Sequence, residues 1–139
     1  MNPTQIQLVQ ASFEQVKPIA PLAADLFYTR LFEQAPALRH MFRGDLTEQK
    51  QKLMAALTLV VAGLDRPETI VPAVQHLGRK HAGYGAQPAD YAAVGAALLW
   101  TLERGLGAAF TPAVADAWLA AYTLLAGVMQ AAAADAVPA

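Results

Sequence analysis

Apolar residues recur at steps of three and four along almost the whole chain and never settle into alternation, so the sequence reads as successive amphipathic helices without strands. Thr4 with Gln7 forms a capping box after Pro3, and Ile6, Val9, Phe13 and Val16 trace the face of a first helix. Pro18 and Pro21 interrupt it. Leu22, Leu26, Phe27, Leu31 and Phe32 then mark a second helix ending before Pro36, followed by a short helical turn over residues 37–42 and a corner at Arg43-Gly44-Asp45. Asp45 with Glu48 reads as a second capping box, opening a helix with Leu46, Leu53, Leu57, Val60, Val61 and Leu64 on one face and Asp65-Arg66-Pro67 at its close. From about Glu68 a further helix places Ile70, Val74, Leu77 and His81 on one line, so a histidine continues an apolar, core-facing stripe. Gly83, Gly85 and Pro88 turn the chain. Tyr91, Val94, Leu98 and Leu102 begin the next stripe, which closes at Gly105 and Gly107. Thr111 as N-cap and Pro112 at the first helical position open a last helix through Val114, Trp118, Tyr122, Leu125 and Met129, with a frayed end expected at Val137-Pro138-Ala139.

Composition narrows the class. At 139 residues, 55% of them hydrophobic, the chain suits a single domain over residues 1–139 around one core. A net charge of -1 leaves no basic footprint for nucleic acid or an anionic membrane. The lack of cysteine removes disulfides, thiolate metal sites, iron-sulfur clusters and cysteine nucleophiles. The first residues carry neither a cationic segment nor an apolar run, which fits a cytoplasmic protein. Residues 117–134 are uncharged and approach the length of a membrane span, but the run is alanine-rich and has no flanking Lys or Arg, so a buried last helix is expected instead. Gly105-Leu106-Gly107 resembles part of a dinucleotide fingerprint, yet no strand precedes it and a helix-end turn is the reading.

The candidate chemistry centres on His81. A histidine on such a stripe is either a packed residue bonded to a backbone carbonyl or a metal ligand. His40, His76 and His81 are the only histidines, and no pair has the helical spacing of a zinc enzyme. A lone neutral imidazole in a wide apolar pocket suits iron already held in four positions by a macrocycle. Tyr28 and Gln49 supply a hydroxyl and an amide that could face the same pocket, each being otherwise readable as an interfacial tyrosine and a solvated helix residue.

The segments Leu26-Phe27-Tyr28-Thr29-Arg30-Leu31-Phe32, residues 36–42 and Gln49-Lys50-Gln51-Lys52-Leu53-Met54 resemble the distal half of bacterial single-domain globins. Leu77-Gly78-Arg79-Lys80-His81-Ala82-Gly83-Tyr84-Gly85, Tyr91 with Val94-Gly95, and Ala117-Trp118 with Ala121-Tyr122 resemble the proximal half and last helices, so the likeness covers residues 5–130. It implies an all-α globin fold of about six to eight helices around a haem b pocket. By the resemblance His81 is the axial iron ligand, Phe42 packs on the haem face, Tyr28, Gln49 and Leu53 line the distal side, and Tyr91, Val94 and Leu98 complete the pocket. Tyr28 and Gln49 would then donate hydrogen bonds to bound dioxygen, implying high oxygen affinity.

Two departures refine this reading. Gln49 stands where many animal globins carry histidine, so internal six-coordination is not expected. Tyr91 matches the tyrosine that flavohaemoglobins pair with a glutamate beside the proximal histidine, whereas the glutamate position falls on Ala133, with Asp135 on another side of the helix; a strong electron push on iron is therefore not expected. Arg43, Lys50 and Lys80 are candidates to meet the haem propionates. The chain ends before a flavin or nicotinamide domain, so any electrons would come from a separate reductase. The expected function is reversible binding of dioxygen and other diatomic gases such as CO and NO. The alternatives are a nitric oxide dioxygenase or peroxidase-like enzyme served by that reductase, and a haem-free helical module in which His81 is merely packed. Oligomeric state does not follow from the sequence.

Overall fold

The computed structural model describes residues 1–42 and 45–136, with the side chains of Asp135 and Ala136 outside the description. The expected corner residues Arg43 and Gly44 and the expected frayed end at Val137, Pro138 and Ala139 therefore lie outside the described residues. Six α-helices are present among those described: α1 (Pro3–Val16), α2 (Ala20–Gln34), α3 (Thr47–Ala62), α4 (Pro67–Gly83), α5 (Pro88–Leu106) and α6 (Pro112–Ala136). Short 3-10 turns at Lys17–Ile19, Pro36–Met41 and Gly107–Ala109 join them, and no described residue is in a strand.

Proline sets most of the helix starts, because its missing N–H is one that a first helical turn leaves unbonded anyway. At α1 this moves the cap. Pro3 occupies the first turn, so Asn2 is the N-cap: its Oδ1 accepts the Gln5 N–H at 2.8 Å while Gln5 Oε1 accepts the Asn2 N–H at 3.1 Å, replacing the Thr4–Gln7 box the sequence suggests. The Asp45–Glu48 box is likewise not formed. Asp45 Oδ1 accepts the Thr47 N–H at 2.9 Å, a turn two residues long, and Glu48 pairs with Lys52 one turn along at 3.3 Å. Thr111 does cap α6, its hydroxyl accepting the Val114 N–H at 3.2 Å. α5 ends in Gly107 at φ 55°, a backbone conformation open to glycine.

The core joins Val9, Phe13 and Val16 of α1 to Phe27 and Leu31 of α2, Leu98 and Leu102 of α5, and Ala117, Trp118 and Ala121 of α6, all buried. Inside it, Trp118 Nε1–H donates to Ser12 Oγ at 2.8 Å and the Ser12 hydroxyl donates to the Leu8 carbonyl at 2.7 Å, so both buried donors are satisfied. α2 crosses α5, and α6 lies along α4 and α1. α3 and α4, though consecutive, meet only sparsely. At their corner Gly63 lets Ile70 approach, since a Cβ there would lie 2.3 Å from Ile70 Cγ2.

α6 is long and apolar enough over residues 112–134 to cross a membrane by length and composition. The expectation of a buried last helix holds for one face only. Ala117, Trp118, Ala121, Ala126 and Ala132 are buried, whereas Leu119 and Leu124 remain about half exposed at 51% and 49%.

Candidate functional site

The stripe on α4 leaves the core as it proceeds. Ile70 and Val74 are buried, Leu77 is half-buried and His81 is exposed, so the histidine is not core-facing as the spacing alone suggests. The cause is local: α6 covers α4, but the next element begins only at Pro88, beyond the turn through Gly85. His81 Nδ1 stands 2.6 Å from the Leu77 carbonyl. A carbonyl can only accept, so Nδ1 is the donor in this contact, and Nε2 is the ring nitrogen left for another partner. Tyr91, near the start of α5, lies beside it with ring centroids 6.4 Å apart. Its hydroxyl is buried without a partner among the described residues, and burial raises its pKa above the ordinary phenol value. The Tyr91 carbonyl accepts the Tyr122 O–H at 2.6 Å.

A second cluster forms on α2 and α3. Tyr28 is buried, packed edge-on against Phe27 at 5.0 Å and against Phe42 at 5.6 Å, and Phe32 lies 5.5 Å from Phe42. Burial raises the Tyr28 pKa, and a hydrogen bond with the Gln49 side chain opposes part of that rise. Leu53, one turn beyond Gln49, is half-buried, as are Phe42 and Val94, while Leu98 is buried. The sequence-predicted residues thus fall into two groups: Tyr28, Phe42, Gln49 and Leu53 on the α2–α3 side, His81 and Tyr91 at the junction of α4 and α5, with Val94 and Leu98 further along α5.

Among the three basic candidates, Lys50 is ion-paired with Asp25 at 2.8 Å, Lys80 is exposed, and Arg43 lies outside the described residues. Ala133 is half-buried, and the Asp135 side chain lies outside the description. No three His, Cys, Asp or Glu side chains converge among the described residues, so protein donors alone do not build a metal site. An exposed imidazole whose Nδ1 is engaged by the backbone and whose ring lies beside Tyr91 offers one nitrogen, which fits a group that brings its own equatorial ligands. Sequence reasoning did not give Phe32, Gly78 or the hydroxyl of Tyr122 a place here. A glycine within an otherwise regular helix pattern was the available signal for Gly78.

These features define an all-helical protein with an exposed histidine beside Tyr91 and a separate aromatic cluster around Tyr28. A family model described as Globin matches residues 25–129. The chain belongs to the globin family, whose members bind haem and diatomic gases. It is 33% identical over 132 residues to the flavohemoprotein of Bordetella parapertussis, covering 93% of this chain and 33% of that one. It is also 33% identical over 118 residues to neuroglobin of Danio rerio, covering 75% and 74%. The chain spans about a third of the length of the flavohemoproteins it matches. Among solved structures it resembles an engineered carbene transferase from a Rhodothermus marinus protein assigned as a nitric oxide dioxygenase, with TM-score 0.88, 27% identity, and 97% and 94% of the two chains covered.

Proposed function

We propose that residues 1–139 form one cytoplasmic haem b globin domain that binds dioxygen reversibly, along with CO and NO. The observation that carries this reading is the His81 imidazole, whose Nδ1 is engaged by the Leu77 carbonyl so that Nε2 is the ring nitrogen left for iron. Haem, when bound, would supply the iron that takes up a diatomic gas, and His81 would hold it. Tyr28, beside Gln49, would offer its hydroxyl to the gas, and Phe42, Leu53, Val94 and Leu98 would line the pocket and exclude water. Lys50 and Lys80 are the described cations for the propionates, Lys50 after release from Asp25.

The visible spectrum of the purified protein loaded with haem tests this directly. Reduced without oxygen, it is expected to show one broad high-spin band that gives way to a stable, distinct spectrum when oxygen is admitted. A sharp low-spin spectrum before any ligand would mean an internal sixth ligand, and failure to take up haem would sink the reading. His81→Gly should lose most haem retention and recover it with added imidazole.

A second reading, nitric oxide dioxygenase or peroxidase-like activity with a separate reductase, draws support from the similarity to flavohemoproteins and to the Rhodothermus marinus protein and from the presence of Tyr91. The Tyr91 hydroxyl, without a partner among the described residues, and Ala133 at the position of the carboxylate weigh against it. Repeated nitric oxide consumption in the presence of a reductase would favour this second reading. A single turnover per haem would favour ligand binding.

A further inference from the structure

We infer that Arg30, Trp100 and Arg104 form a docking surface for an acidic segment of a partner protein, on a face that the haem reading does not use. Tyr28 and Leu98 are buried, and Arg30 and Trp100, two residues further along the same helices, lie on the opposite side of each. Trp100 is half-buried where α2 crosses α5. The guanidinium carbon of Arg30, from α2, lies 5.0 Å from its ring centroid, and that of Arg104, one turn along α5, lies 4.9 Å from the same centroid. Arg104 is the only Lys or Arg after Lys80, yet it stands with another cation instead of with a carboxylate. Neither guanidinium is ion-paired among the described residues, although Glu33 and Glu103 are exposed on the same two helices.

The indole explains how two like charges share one place, because the negative face of the ring attracts each cation. Stacking of this kind leaves the N–H groups of both guanidiniums unused, and each is a planar fork that fits a carboxylate. Two forks beside one ring call for two negative charges on one partner. Neighbouring Asp or Glu side chains on one face of a helix or strand supply them at a matching spacing. A free anion beside the exposed Arg104 competes with water and salt and gains little, whereas a protein segment also covers the indole. Arg and Trp are, besides, the residues on which interface energy concentrates. Two cations on a chain of net charge -1 do not make the long basic track that a phosphate backbone needs, so the partner is protein.

The chain holds two tryptophans, and they report the test from within. Trp100 belongs to the surface cluster, whereas the Trp118 indole is bonded to Ser12 in the core, so their indole ¹⁵N–¹H signals in the reduced, CO-bound full chain separate docking from global change. A polyglutamate peptide is expected to move the Trp100 signal saturably, to leave the Trp118 signal in place, and to bind more weakly as salt is raised. Arg104→Gln, at an exposed position, should weaken binding several-fold, and the double change with Arg30→Gln by roughly tenfold or more, the steady Trp118 signal showing an intact core. An unmoved Trp100 signal, or equal affinity in both variants, would overturn the inference. So would an equal response to inorganic phosphate, the mark of a small-anion site, or tighter binding of a single-stranded oligonucleotide than of polyglutamate. A chain that takes up no haem is titrated as purified, so the haem reading and this one fail separately.

Discussion

Ser12 receives the Trp118 N–H and passes its own proton to Leu8, so its removal strands a buried donor. Ser12→Ala is expected to cost about 1–3 kcal/mol, read as a lower urea midpoint with unchanged slope. Tyr28→Phe keeps the ring stack on Phe27 and Phe42 but deletes the donated proton. A charge-assisted hydrogen bond contributes about 1.5–3 kcal/mol, so oxygen dissociation should accelerate roughly tenfold or more in stopped-flow measurements, and an unchanged rate would remove Tyr28 from the site. His81 stood out in the sequence because it continues an apolar line, whereas Tyr28 and Gln49 taken singly read as an interfacial tyrosine and a solvated helix residue, and only the globin resemblance drew the three into one candidate site. The Ser12–Trp118 bond was not, since its partners lie 106 residues apart and neither type is unusual in a helix. Tyr122 was read as one more apolar position on a stripe, and its hydroxyl gained meaning only once Tyr91 lay beneath it.

Helix boundaries were legible where proline and glycine enforce them, and less so where two capping patterns overlap. Thr4–Gln7 and Asn2–Gln5 are both admissible three-residue boxes, and only the seat of Pro3 in the first turn selects the second. The direction of the α4 stripe was legible, but its exposure was not, because that depends on where α5 begins to cover it. Thr111 is the cap that sequence and structure share. Thr111→Ala should lower stability by about 1 kcal/mol, measured by thermal denaturation, while leaving the visible spectrum of the loaded protein intact.

Across the whole molecule, three tyrosines share one electrostatic condition. Tyr28, Tyr91 and Tyr122 are each held above the ordinary phenol pKa of 10.0, chiefly by burial, with the nearby Tyr91 adding to the rise at Tyr122. The folded chain therefore keeps these protons after the unfolded chain has released them, and the stabilisation is complete below about pH 10 and falls as pH rises toward the folded values. The melting temperature should drop steeply in this alkaline range, and in a Tyr84→Phe chain, which removes the one tyrosine that is exposed among the described residues, phenolate absorbance should appear together with unfolding instead of ahead of it. Phenolate formation well before the melting transition would show these hydroxyls to be solvent-accessible. The fold class was legible from periodicity alone, whereas the sparse meeting of α3 and α4 could not be, because it is a property of distance between faces that the sequence draws separately. Because α3 and α4 meet so sparsely, a ligand that binds both in the folded chain alone would tie them together, and the melting temperature should then climb with the logarithm of free ligand, by about 4 kcal/mol at a thousandfold excess over its dissociation constant.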